Sequence, residues 1–453
     1  MLSPHLLRAG AIAIALALLP AAAQAESLRQ ALESAYANNP DLMSALLSVK
    51  SAAEDIALRK AGKLPTIALN ADVGAGFAVT GGAATTSHSY RLGLSYQQTL
   101  FDNFKTESQI EQARALSELS TYTLRNAEQN VLLSVATAYM AVIRDTQLVQ
   151  LRESNVAFFQ AQVDSSDQRL RLGEGTKIDV SQAQSRLAQS VASYRSAIAS
   201  LQTSQASYQR WVGHKPQNLS QDFNFNGLVP PSIDSAVASA EERHPAILSA
   251  RAAIRTAMAG SDAAKAAFGP TLNLIGSLCG IGCFGSNPEQ PGMTGSVGLQ
   301  LSIPLYAGGA LGATMRKANI EQIKSEVDAL SARDQVRESV ISAWSSLQNA
   351  NAQITSAQSA VASGELVVDG VIQERDVGQT TTLDVLNAQA ELTTAREGLI
   401  QATASRVIAS FALLAAAGRL NPIDLALNVE VKSGEAYTAK VEDIWQELRA
   451  IEE

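Results

Sequence analysis

The carboxylates that recur at matched places in the chain come first, because their positions can do work. Asp179 and Asp384 each follow a glycine-bearing turn, Gly173-Glu174-Gly175 in one case and Gly378-Gln379-Thr380 in the other. A carboxylate at the start of a helix interacts favourably with the helix dipole. Catalysis is poorly supplied. His88, His214 and His244 are scattered without ligand spacing, and no GxSxG, Walker A or HExxH sequence occurs. Gly280, Gly282 and Gly285 spell GxGxxG after a strand, but Ser286-Asn287-Pro288 cannot open the helix that a dinucleotide site needs. Cys279 and Cys283 are the only cysteines and lie in a glycine-rich stretch, so the expectation in an oxidising compartment is a loop disulfide. No cofactor, metal or catalytic residue is expected.

The elements that position these residues are written twice. Residue n matches residue n+205 without a gap: Pro40 with Pro245, Pro65 with Pro270, Gly93-Leu94 with Gly298-Leu299, Gly173 with Gly378. Asp179-Val180 matches Asp384-Val385, Leu187 matches Leu392, and Gly213 matches Gly418. Such a repeat means two copies of one structural unit. The expected division is a signal peptide over 1–25, a first repeat over 26–213, a linker over 214–232, a second repeat over 233–419 and a tail over 420–453.

The first residues pair Arg8 with an apolar run and end Ala23-Gln24-Ala25, the pattern of a cleaved secretory signal. No cysteine stands directly after this segment, so a lipid-anchored start is not expected. No later stretch reads as the roughly 20 apolar residues of a membrane helix, so any membrane span must be built of strands. With 35 basic against 43 acidic residues the chain is net acidic, which argues against nucleic acid as a partner. Aromatics are only 5% of residues, too few for a thick globular core and suited to long, thin helical packing.

Each repeat reads as a helical segment, two strands and two very long helices. The first helical segment is expected from Ser27 to about Gly62. Ile67, Leu69, Ala71, Val73, Ala75, Phe77 and Val79 alternate with small or polar residues, which is a strand with one apolar face. A loop is expected over Thr80–Ser89, then a second strand over Tyr90–Phe101. The second repeat supplies a third strand with Leu272, Leu274 and Leu278 on its apolar face, and a fourth with Val297, Leu299, Leu301, Ile303 and Leu305. From Phe104 to about Arg171 there is neither proline nor glycine, enough for a helix of roughly 100 Å. Its counterpart runs from about Leu311 to Val377. Val336, Val340, Ala343, Leu347, Ala350, Ile354, Ala357 and Val361 step by four and three, a coiled-coil seam. Returning helices follow the turns at Gly173 and Gly378, giving antiparallel helical hairpins.

Four strands cannot close a barrel, and an open edge in lipid leaves backbone groups unpaired. Several copies must therefore share one barrel. Two copies would give eight strands, an interior filled by side chains, and three would give twelve, wide enough for a channel, which the small, polar inward face favours.

With strand hairpins, heptad hairpins, a whole-chain repeat and a secretory start in place, the chain closely resembles the TolC family of outer-membrane export channels. The motifs that carry the resemblance are Ser27-Leu-Arg-Gln-Ala-Leu with Asn39-Pro40, and Gln98-Thr-Leu-Phe-Asp-Asn-Phe with its repeat Pro304-Leu-Tyr-Ala-Gly-Gly. Two tip motifs join them: Arg171-Leu-Gly-Glu-Gly-Thr before Asp179, and Asp376-Val-Gly-Gln-Thr before Asp384.

The resemblance implies an α+β membrane protein: a homotrimeric, twelve-stranded barrel in the bacterial outer membrane, continued by a helical tunnel in the periplasm. It implies a passive exit duct for type I protein secretion or multidrug efflux, embedded in outer-membrane lipid. A periplasmic adaptor and an inner-membrane ABC or proton-driven transporter would open it. It places an aspartate ring at Asp384, a second layer at Asn387, where this chain lacks the charge, and Asp179 at the matching place in the first repeat. Three converging carboxylates would raise one another's pKa. Gly173, Glu174, Gly175, Gly378, Gln379 and Thr380 become the adaptor-docking tips. Thr380 stands where a basic latch partner is expected, leaving Lys177, Arg171 and Arg375 as candidates. The competing class is a structural or adhesive coiled-coil surface protein, which leaves the strand hairpins unexplained.

Overall fold

The computed structural model describes residues 25–221, 227–284 and 292–446. The signal-peptide expectation therefore lies almost wholly outside the described residues. The chain divides into two units, one drawn from residues up to Met43, Ala127–His244 and Arg337–Val431, the other from Ser44–Asn126, Pro245–Val336 and Lys432 onward.

The first unit opens with α1 (Leu28–Asn38). Ser27 caps it in a reciprocal box: its hydroxyl accepts from the Gln30 N–H at 3.3 Å, and the Gln30 side chain accepts from the Ser27 N–H at 2.8 Å. The helix ends at Asn39 and a second one, α2 (Pro40–Lys60), starts on the proline. The single helix expected from Ser27 is thus two, because Pro40 has no N–H to continue the ladder but fits a first helical position. Leu28, Leu32 and Tyr36 are buried against Val135, Tyr139, Phe411 and Leu414. Burying each such side chain contributes about 1.5–3 kcal/mol. The Tyr36 hydroxyl donates to the buried Glu128 carboxyl at 2.6 Å.

Long helices α3 (Lys105–Leu172), α4 (Lys177–Val212) and α8 (Thr382–Ala416) supply the rest of this core, while α7 (Ala310–Asp376) packs Val368 against Ala388 and Leu392 of α8. Short α5 (Ile233–Arg243) packs with them, its Ser239 hydroxyl donating to the Ala417 carbonyl at 3.1 Å. By length and composition α8 is apolar enough to cross a membrane, contrary to the sequence reading. Its apolar run includes Phe411, Leu413 and Leu414, which are buried, so it reads as a core helix.

The second unit holds one antiparallel sheet, ordered β1 (Thr66–Thr80), β2 (Ala83–Phe101), β3 (Thr271–Phe284), β4 (Gly292–Ser302). Helix α6 (Pro245–Ala266) precedes β3. The register aligns Leu69, Leu94 and Leu278 in one row, and Asn70, Gly93, Cys279 and Thr294 in the next. Neighbouring rows alternate faces, so one face is aliphatic and the other small and polar. On the polar face Ser277 and Ser296 share a hydrogen bond of 2.8 Å across the strands.

Two sequence expectations change here. The loop over Thr80–Ser89 shrinks to the turn at Gly81-Gly82, both at positive φ, and Ala83–Ser89 extend β2 by pairing with Gly74–Thr80. The run hid a strand because residues 83–89 are small or polar throughout and show no alternation of their own, although they pair with the Phe77 and Val79 stretch of β1. The disulfide also fails: Cys279 and Cys283 lie four residues apart on β3, about 13 Å in an extended strand, against less than 7 Å for a bridge. Cys279 is a free thiol, and the side chain of Cys283 lies outside the described residues. The tail is docked. In α9 (Glu435–Val441) Val441 is fully buried, and Lys60 pairs with Glu442 at 3.0 Å and Asp443 at 2.8 Å.

The junction from β2 into α3 explains the Asp102-Asn103-Phe104 motif. The Asp102 carboxylate accepts from the Thr106 N–H at 2.8 Å and caps the helix. Asn103 and Phe104 turn the chain at positive φ, and the Asn103 amide donates to the Ala266 carbonyl at 3.1 Å.

Candidate functional site

The two hairpin turns are the same device. At the first, Gly173 sits at φ 81°, its N–H bonds the Leu170 carbonyl at 3.1 Å, and the Glu174 N–H reaches the Arg169 carbonyl at 2.9 Å. At the second, Gly378 sits at φ 78°, its N–H bonds Arg375 at 3.0 Å, and the Gln379 N–H reaches Glu374 at 2.8 Å. This pattern closes a helix C-terminus with a left-handed residue, which glycine adopts without strain. Gly175 and Thr380 complete the turns, Thr380 donating from its hydroxyl to the Val371 carbonyl at 3.3 Å.

Helices α4 and α8 then start on matched caps. Thr176 and Asp179 exchange hydrogen bonds, the Asp179 carboxylate accepting from the Thr176 N–H at 2.9 Å and hydroxyl at 2.7 Å. Thr381 and Asp384 do the same at 2.9 and 2.6 Å. These bonds from Thr381 hold the Asp384 carboxyl below its ordinary pKa. The cap within one chain therefore acts against the upward shift that converging carboxylates would cause.

The sequence candidates divide as follows. Asn387 is not an empty layer, since its side-chain carbonyl accepts from Arg186 of α4 at 2.8 Å. Arg375 is largely buried and donates to Gln162 of α3 at 2.7 Å, joining the second hairpin to the first. Arg171 instead pairs with Asp167 of its own helix at 2.5 Å. Further contacts between the hairpins escaped the sequence reading: Arg152 with Glu397 at 2.5 Å, and Asn155 accepting from Thr393 at 3.1 Å. Burial pushes the Glu397 carboxyl up and Arg152 opposes it. Leu386 of α8 is buried against Phe159 and Ala183 of the first hairpin. No local signal marks these partners, because Arg186 and Asn387 are 201 residues apart.

A sheet with one aliphatic face, and helical hairpins with matched, capped turns, are elements that a strand-built membrane channel needs. The model of the family described as outer membrane efflux protein matches residues 31–214 and again 236–419, and the chain belongs to that family. The two matches begin 205 residues apart, the spacing of the sequence repeat.

Among curated relatives, the outer membrane efflux protein BepC of Brucella suis is 36% identical, covering 94% of this chain and 93% of that protein. Outer membrane protein TolC of Escherichia coli is 26% identical over 89% of this chain and 85% of its own length. The alkaline protease secretion protein AprF of Pseudomonas aeruginosa is 27% identical over 87% and 84%. The fold matches the Campylobacter jejuni CmeC outer membrane channel with a TM-score of 0.77, at 15% identity over 92% of this chain and 89% of that one.

Proposed function

We propose that three copies of this chain form a twelve-stranded outer-membrane barrel with a helical tunnel, a passive exit duct worked by an adaptor and an inner-membrane pump. The observation that carries the reading is what the single chain leaves uncovered. Val73, Phe77, Val297 and Leu299 stand 66–87% exposed on one face of the sheet, a surface suited to lipid. Strands β1 and β4 each have an edge that pairs with no described strand of the chain. On α7, Ile320, Ile323, Val327 and Leu330 step by three and four and are 57–65% exposed, a coiled-coil seam awaiting another helix. A second copy that pairs the free edge and covers the seam answers both, and repetition closes the sheet.

In this reading the two repeats, 26–213 and 233–419, build alternating hairpins around the tunnel, and 214–232 joins them. Residues 1–25 direct export and are removed. Asp384 forms the cation-selective ring at the mouth, with Asn387 and Asp179 beside it. Gly173, Glu174, Gly175, Gly378, Gln379 and Thr380 meet the adaptor. BepC is named for efflux and AprF for protease secretion, so both cargo classes fall within the proposal.

Reconstitution into planar bilayers tests it. Purified protein should size as a trimer and give long-lived conductance steps; a monomer, or a trimer that conducts nothing, contradicts it.

A further inference from the structure

The polar face of the sheet, which lines the lumen in the assembly proposed above and on which this argument rests, is nearly free of charge. Across β1–β4 one carboxylate and one permanently cationic side chain occur, Asp72 and Arg91, and the register sets them directly opposite each other. Asp72 lies two residues from Asn70 on β1, and Arg91 two residues from Gly93 on β2, so both share the polar face. Their strand neighbours Val73 and Leu92 point the other way, 87% and 53% exposed on the aliphatic face.

The two charges stand clear of the wall. Both residues are exposed, and neither side chain makes an ion pair or hydrogen bond among the described residues. Beside them on the same face are Gly74 on β1 and Gly93 on β2. Gly93 does not have a left-handed backbone, and an added Cβ would come no nearer than 3.7 Å to the Leu278 carbonyl. Neither conformation nor space demands glycine there, and its effect is to leave the surface bare around Arg91.

Asp72 is six residues past Thr66, where β1 begins. Six residues of strand are about 20 Å, or about 15 Å of height at barrel tilt, near the middle of an apolar band about 25 Å tall. Twelve tilted strands about 4.8 Å apart enclose a lumen about 24 Å across between backbones. Its axis is then about 12 Å from the wall, and with a Debye length of about 10 Å at 0.1 M salt these groups act on much of the passage.

We infer that Asp72 and Arg91 form a charge-balanced belt halfway along the barrel, three carboxylates alternating with three guanidiniums, which sets the potential that solutes meet there. Equal numbers of opposite charges give the belt no net sign preference. Anionic and cationic cargo therefore cross it alike, and selection by sign is left to the proposed Asp384 ring. Loss of either partner turns the belt into a ring of one sign.

Cys279, a free thiol on the same face and diagonal to Arg91 across the strands, reports the local potential. In trimers carrying Cys283→Ser, its rates with an anionic and a cationic methanethiosulfonate of equal size are compared in about 10 mM salt. Arg91→Gln should slow the anionic reagent and speed the cationic one, each about threefold, and Asp72→Asn should do the reverse, each about twofold. The double variant and Arg91→Lys should keep the parent's ratio of rates, and every shift should fade in about 1 M salt. Single variants that leave the ratio unchanged, or move it in one common direction, overturn the inference. If Cys279 reacts with neither reagent, Gly93→Cys with Cys279→Ser places the reporter beside Arg91 on its own strand, and silence there overturns it as well. Sizing separates the two failures: a monomer defeats the assembly, whereas a trimer with unmoved rates defeats only the belt.

Discussion

The Asp384 carboxylate accepts from the Thr381 hydroxyl at 2.6 Å and from the Thr381 N–H at 2.9 Å, so the residue proposed for the tunnel mouth is also part of the cap of α8. One carboxylate thus fixes the helix start and presents its charge at a set height beyond the turn. The two roles separate by substitution. Asp384→Asn keeps a capping side chain and removes the charge. It should abolish block by polyvalent cations in bilayer recordings while hydrogen exchange over residues 382–386 stays close to the parent. Block that survives the substitution contradicts the ring assignment.

The same cap sets a pH dependence. Its folded-state pKa is depressed, so its contribution is complete above the ordinary carboxyl value of 3.8 and is lost as pH falls through the lower folded value. Protection of the second tip against exchange should hold from pH 7 to about 4 and decline only below that. A decline beginning near pH 6 would show that the carboxylates of an assembled ring override the cap.

Gly378 has a left-handed backbone and open space around the place a Cβ would occupy. Conformation and not room therefore limits substitution. Gly378→Asn should be tolerated far better than Gly378→Val, by about 1 kcal/mol or more in hairpin stability. Thermal unfolding of the two variants checks the order, and equal stability would contradict the turn geometry.

Gly434 presents the opposite case. Its φ is ordinary, but a Cβ there would lie 2.3 Å from Cγ1 of Val49. Gly434→Ala should lift α9 from α2 and open the tail to trypsin at Lys440, whereas Ser433→Ala should not. A tail equally resistant in both variants would contradict the docked position.

Much of this architecture was legible in the sequence, for physical reasons that can be named. The 205-residue repeat placed both turns and both acidic helix starts, since Gly173 and Gly378 are needed wherever the chain must reverse in a left-handed conformation, but not the capping Thr176 and Thr381. Period-2 alternation found β1 because one of its faces is aliphatic. It missed residues 83–89, where neither face is. It also read Cys279 and Cys283 as loop residues, because a glycine-rich strand lacks the β-branched signal. The inter-hairpin contacts stayed hidden for another reason. Arg152, Arg186 and Arg375 look alike in sequence, and only the fold shows that each crosses to the other hairpin.

The central claim is that this chain is an exit duct of the outer membrane, and deletion with complementation tests it most directly. A strain lacking the chain should accumulate a fluorescent efflux substrate or lose one or a few proteins from its culture supernatant. The wild-type gene should restore the loss, and Gly378→Trp, at the tip proposed to dock the adaptor, should not. A deletion strain with unchanged drug accumulation and an unchanged supernatant would contradict the account.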